Sequence, residues 1–179
     1  MQQNTLNPYM LTASGRRVDL LDPRPSMIEL TDIAFALSRI CRFTGHTRRF
    51  YSVAEHSALG ATTMSDDALA LEFLLHDAHE AYVGDMNSPL KSLCPDFRRV
   101  ATRIDGVIRE RFGLPPVMSP EVMHVDLRML ATEKRDLMPE DVTPWPCLAG
   151  VEPFPIGLAL PVFHDFEKAF LYHFHERNK

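Results

Sequence analysis

An all-α fold is the class this sequence predicts, and three observations carry it. Apolar residues recur at helical spacing over most of the chain. Capping and stopping residues stand where those patterns begin and end. No convincing strand signal appears beyond a short hairpin near 11–21. The 179 residues are 45% hydrophobic and 24% charged, which suits a single domain over 1–179 with enough apolar material to offset the entropy of ordering.

Residues 1–27 read as irregular or extended, because Thr12-Ala13-Ser14-Gly15 is a turn signal and Asp22-Pro23-Arg24-Pro25 forbids a helix. A first helix is expected from Thr31 to near Phe43, with Ile33, Leu37, Ile40 and Cys41 on one face and Thr31 or Asp32 as cap. A second runs over 49–64, with Phe50, Val53, Ala54, Ser57 and Ala61 aligned. Asp66 or Asp67 opens a third, whose run Ala68-Leu69-Ala70-Leu71 and Phe73-Leu74-Leu75 is apolar on most of its girth and marks a central helix. It is expected to end near Val83, with Gly84 beyond it. A fourth covers 96–112. Ser119-Pro120-Glu121 opens a fifth in the favoured cap, proline and acid order, which ends before Pro139. The stretch 139–160 is a proline-rich loop that Trp145 and Phe154 pack down, and a C-terminal helix takes up 161–179.

Composition narrows the function. The net charge of −5 offers no broad basic surface for a nucleic-acid polymer. No apolar run approaches the roughly 18 residues of a membrane span, and the polar start at residues 1–5 lacks a secretory pattern. Cys41, Cys94 and Cys147 stand far apart with no paired spacing, so neither a disulfide framework nor a zinc–thiolate site is expected. A cytoplasmic setting follows as the expectation.

The chemistry concentrates at the end of the central helix, in Leu74-Leu75-His76-Asp77-Ala78-His79-Glu80. Ionisable residues at the end of a buried helix cost free energy unless a metal or partners compensate them. His76 and Glu80 are four apart and share a face, with Asp77 about 100° round. His56 lies on the preceding helix, which a short link turns antiparallel. Asp126 is a carboxylate between apolar neighbours on the fifth helix. His56, His76, Asp77 and Asp126, drawn from three helices, form a ligand set suited to a first-row divalent metal in a helical bundle.

The segments "EHS", "HDAHEAYVGDMNSPLK" and the Asp of "HVDLRMLATEKRDL" resemble the HD-domain metal-dependent phosphohydrolases. Together with the upstream "LLDPRPSMIELTDIAFALSRICRFTGHTRRFYSVAEHS", they look like the deoxynucleotide-hydrolysing branch, which includes phage dATP triphosphohydrolases and bacterial 5′-deoxynucleotidases. The resemblance covers about residues 11 to 138. It implies an HD-type helical bundle in which His56, His76, Asp77 and Asp126 hold one divalent ion (Co, Mn, Zn or Fe), with additional Mg for a triphosphate. Glu80 matches the acidic residue that positions or deprotonates the attacking water, and Asp85 a carboxylate that binds the sugar 3′-hydroxyl. Arg42 matches a phosphate-binding arginine. Phe43 stands where the family often has a tryptophan against the deoxyribose. Lys91 is within reach of phosphate oxygens, and His79 and His46 either contact phosphate or support a ligand.

The implied reaction is hydrolysis at the α-phosphorus, with dATP the favoured substrate. A monophosphate 5′-deoxynucleotidase and a non-catalytic nucleotide sensor are the alternatives. The implied partner is a small deoxynucleotide, the assembly a homo-oligomer, and the setting a bacterial or phage-infected cell.

Overall fold

The computed structural model describes residues 8–178; the polar start at residues 1–5 lies outside them. The described chain is mostly helical, as the sequence predicts, and its sheet is one short hairpin. Strand β1 (Tyr9–Leu11) pairs antiparallel with β2 (Arg17–Asp19), Met10 opposite Val18. Asp32 pins the turn between them, accepting the Ser14 amide at 2.8 Å and the Ser14 hydroxyl at 2.7 Å. That role replaces the expected cap: Glu29 holds the cap position of α1 (Leu30–Leu37), and Asp32 is buried in its first turn.

Helix α1 stops well short of Phe43. Cys41 bridges Ser52, and the Arg42 amide donates to the Tyr51 carbonyl at 2.9 Å, so the backbone here is satisfied across a loop rather than along a helix. Helix α2 (Val53–Thr62) starts later than expected because Ser52 caps it, accepting from the Glu55 amide at 3.0 Å. Phe50 therefore precedes the helix, half-exposed against Phe166. From Val53 to Ala61 α2 is buried on every side, packed among α3, α7 and α8.

Helix α3 (Asp67–Leu75) is capped by Asp66, which accepts from the Leu69 amide at 2.9 Å. It was expected to run unbroken to Val83, and instead it breaks at 76–79 and resumes as α4 (Glu80–Val83). The break tightens into three-residue hydrogen bonds, His76 to Phe73 and Ala78 to Leu75. Gly84, at φ 81°, ends α4 in a conformation that L side chains resist. A short α5 (Ser88–Leu93) follows, unanticipated because six residues are too few to show a period; the Asn87 side chain caps it.

Helices α6 (Pro95–Phe112) and α7 (Pro120–Leu137) match the fourth and fifth predicted segments closely. Ser119 stands at the cap of α7, but its amide and hydroxyl both donate to buried Glu72 on α3, at 2.9 and 2.5 Å. Arg109 of α6 meets the same carboxylate at 3.2 Å. The proline-rich stretch does pack down. Thr132 and Asp136 of α7 accept the Phe154 and Leu158 amides, each at 2.9 Å. The C-terminal helix α8 (Phe166–Arg177) begins at its Asp165 cap rather than at Pro161, and buries Phe170 and Phe174 against the other helices. Among the described residues no helix is long and apolar enough to cross a membrane.

Candidate metal centre

The site exists because α2 and α3 come very close. At Gly60 an added Cβ would lie 2.0 Å from Cε1 of buried Phe73, so only glycine allows this approach. One turn before Gly60 stands His56; three residues after Phe73 stands His76. Their rings sit 5.2 Å apart by centroid, with the Phe73 ring 4.6 Å from that of His76.

Hydrogen bonds fix both tautomers. His76 Nδ1 donates to the Phe73 carbonyl at 2.6 Å, and a carbonyl can only accept. His56 Nδ1 donates to the Glu133 carboxylate at 2.6 Å. The two Nε2 atoms are thereby turned toward each other, 3.4 Å apart, with Asp126 Oδ1 at 3.3 Å from one and 3.6 Å from the other. These three donor atoms lie within 4.8 Å of one another. Facing lone pairs on two imidazoles and a carboxylate repel unless a cation lies between them, so the donor set fits a divalent metal ion.

Asp77 is the fourth expected ligand. Its Oδ2 lies 3.2 Å from His76 Nε2 and 3.9 Å from His56 Nε2, and 3.3 Å from Arg42 Nη1. It therefore borders the compact trio while also pairing with the arginine. Arg42 donates its other nitrogen to Glu133 at 3.0 Å. Glu133, fully buried, thus joins His56 to Arg42, and the sequence reading missed it. The signal was there: Glu133 lies seven residues after Asp126, two turns on along the same face of α7.

The remaining predicted residues gather around this centre. Glu80 is buried, its Oε1 3.9 Å from Lys91 Nζ and its Oε2 without a partner. His79 Nδ1 is likewise buried and unpartnered. Phe43 lies under the Arg42 guanidinium, 5.6 Å from ring to carbon. Phe43 and Thr44 both adopt φ 54°, a left-handed pair costing about 1–2 kcal/mol per residue. Such strain persists only where the surroundings impose it; here Asn87 Nδ2 donates to the Thr44 hydroxyl at 3.3 Å. Asp85 is half-buried nearby.

Residues outside the centre fall elsewhere. His46, His124, His164 and His175 are exposed, and His173 pairs with Arg177. Arg49 is structural, forking onto buried Glu55 at 2.8 Å through both nitrogens and holding the Leu158 carbonyl.

Electrostatics agree with the geometry. Burial opposes charge on His76, but Asp77 and Asp126 overcome it and hold the imidazole well above its ordinary pKa. Burial and Arg42 oppose charge on His56, and Glu133 and Asp126 raise it nonetheless. Burial works against the Asp77 and Asp126 carboxylates, yet the histidines drive both below their usual range. Glu133 is also lowered despite burial, chiefly by Arg42. The cluster demands positive charge, which protons or a metal ion supply. Glu80 differs: burial, with Asp77 and Asp85 beside it, raises its carboxyl well above normal. Burial also raises Asp85 and lowers His79.

No family model matches the chain. Over 143 residues it is 52% identical to the uncharacterized protein YfdR of Escherichia coli, a match covering 80% of each chain. Over 114 residues it is 41% identical to an uncharacterized protein of Rhodobacter capsulatus, covering 59% of this chain and 58% of that one. The identity and coverage of the first match place the chain in the same family as YfdR.

Proposed function

We propose that this protein is an HD-type, metal-dependent phosphohydrolase of deoxynucleotides, with dATP its leading substrate and deoxynucleoside plus triphosphate its products. The observation that carries the reading is the convergence of His56 Nε2, His76 Nε2 and Asp126 Oδ1, with the buried Glu80 carboxyl close enough to Asp77 to feel its charge. His56, His76 and Asp126 hold the ion, with Asp77 completing the set. A divalent ion there supplies Lewis acidity toward the phosphoryl oxygen and lowers the pKa of water.

The chain's own residues do the rest. Glu80 accepts the proton of the water that attacks the α-phosphorus; as the bond to the 5′-oxygen breaks, that proton passes to the departing oxygen, giving the deoxynucleoside and triphosphate. Arg42, already oriented by Asp77 and Glu133, offers a planar fork to phosphate oxygens, and Lys91 a point charge. His79 lines the same pocket, Asp85 takes the sugar 3′-hydroxyl, and Phe43 packs against the sugar.

A second reading, a 5′-deoxynucleotidase of monophosphates, is favoured by one observation. Among the described residues, Arg42 and Lys91 are the arginine and lysine side chains in ion-pair contact with Asp77, Glu133 and Glu80, and a triphosphate calls for more.

The test is product analysis by ion-exchange chromatography after loading with Mn, Co, Zn or Mg and adding dATP, dGTP, dAMP or ATP. Triphosphate and deoxyadenosine from dATP support the first reading; orthophosphate from dAMP alone supports the second. No product with any metal refutes both and leaves a nucleotide sensor. Glu80→Gln should bind metal and nucleotide while turnover collapses.

A further inference from the structure

We infer that Trp145, from the proline-rich loop, is the stacking wall for the nucleobase and so a specificity-determining residue; the inference rests on the reading of the site as a deoxynucleotide pocket. On that reading Arg42 marks the phosphate end, its guanidinium set against Asp77 and Glu133 beside the metal ligands. The next residue, Phe43, has a left-handed backbone, and its ring lies 5.6 Å from that guanidinium. Trp145 continues the wall, its ring 6.4 Å from that of Phe43 and tilted by 45°. A path therefore leads from the metal ligands through one cation to two consecutive aromatic rings.

The indole is held in place rather than left to swing. Lys134, the residue after Glu133, sets its ammonium 4.7 Å from the Trp145 centroid and donates to the Thr143 carbonyl at 3.2 Å. The backbone that carries it is turned by the Leu148 amide, which donates to the Trp145 carbonyl at 2.9 Å. Trp145 is only part-buried, so some of its surface remains accessible. A large, oriented, partly exposed aromatic beyond a sugar-sized apolar side chain matches the far end of a nucleotide. Stacking on indole is tolerant of base identity and stronger for larger rings, so this wall favours purines over pyrimidines without reading their hydrogen-bonding edges.

Trp145 is the sole tryptophan, so intrinsic fluorescence reports on it alone. The full-length Glu80→Gln protein is titrated with dATP, dAMP, deoxyribose 5-phosphate and inorganic triphosphate, following fluorescence and calorimetry in parallel. The expected result is saturable quenching by dATP and dAMP, and binding without quenching by the two ligands that lack a base. Adding Trp145→Ala should weaken dATP by about 5- to 150-fold and leave inorganic triphosphate unchanged, with Trp145→Phe retaining most of the affinity. Calorimetric binding of dATP with unchanged fluorescence, or with equal affinity in Trp145→Ala, overturns the role of Trp145 and leaves the proposed function standing. Failure of every nucleotide to bind overturns the function itself, and this inference with it.

Discussion

Gly60→Ala is the substitution that most directly probes how α2 and α3 build the centre. In a helix interior this change normally stabilises by about 1 kcal/mol, because alanine loses less backbone entropy than glycine. Here the new methyl would sit 2.0 Å from Phe73 Cε1 and 2.3 Å from Cζ, well inside van der Waals contact. Phe73 has no exposed surface and is boxed in by the His56 and His76 rings, so it has nowhere to retreat. Overpacking of this kind costs about 1–3 kcal/mol, and the severity of the overlap puts the site at the upper end. The net expectation is a loss of about 1–2 kcal/mol, or about 2–8 °C in Tm for a chain of this size. The same displacement pushes Phe73 into the two imidazoles, so metal content should fall as well. Calorimetric melting and metal analysis read the two effects. Gly60→Ala with Phe73→Leu, which removes the offending ring atoms, should recover part of the stability. A Gly60→Ala protein as stable as the parent, with undiminished metal, would refute the close-approach argument.

Three further outcomes are expected. Glu133→Gln keeps a hydrogen-bond acceptor for His56 but removes the charge opposite buried Arg42; metal affinity should drop about 10- to 100-fold by titration against a chelator, with a lower Tm. Metal at about a hundred times its Kd should raise stability by about 2.7 kcal/mol over the chelated protein, and His76→Ala should abolish that increment; an equal shift in the variant would place the ion elsewhere. Asp136 is held below its ordinary pKa by Arg135 and the Leu158 amide, so its stabilisation is present above the unfolded carboxylate pKa and lost as pH falls through the folded one. Asp136→Asn should therefore melt below the parent at pH 7, with the gap closing below about pH 4; a constant gap would show that charge is not the cause.

Much of this arrangement was legible in the sequence because helical periodicity and capping are local. Asp66 sits one residue before its helix, and Gly84 and Gly113 one residue after theirs, in positions that residue type alone reveals. The clustering of His56, His76, Asp77 and Asp126 followed from their placement on helices that must pack together. What stayed hidden depends on contacts between distant segments. The early stop of α1 comes from pairing with residues 51 and 52, and the break in α3 at 76–79 from a histidine bonding its own helix. Asp32 fits the role of a helix cap and Glu72 carries no sequence signal, yet each is buried to hold a segment far away in sequence. Glu133 escaped notice because its partners, His56 and Arg42, lie 77 and 91 positions away.

That one carboxylate has a consequence for how this protein can change. Because Glu133 serves His56 through one oxygen and Arg42 through the other, neither partner can be altered without disturbing the remaining one. The effects of substitutions at 42, 56 and 133 will not add, and a double-mutant cycle across any pair should return a coupling energy rather than zero. A lineage that exchanges Arg42 for another residue inherits an unbalanced buried anion, and must answer at position 133 before it can keep the histidine in register. The three positions amount to a single heritable unit spread over most of the folded chain.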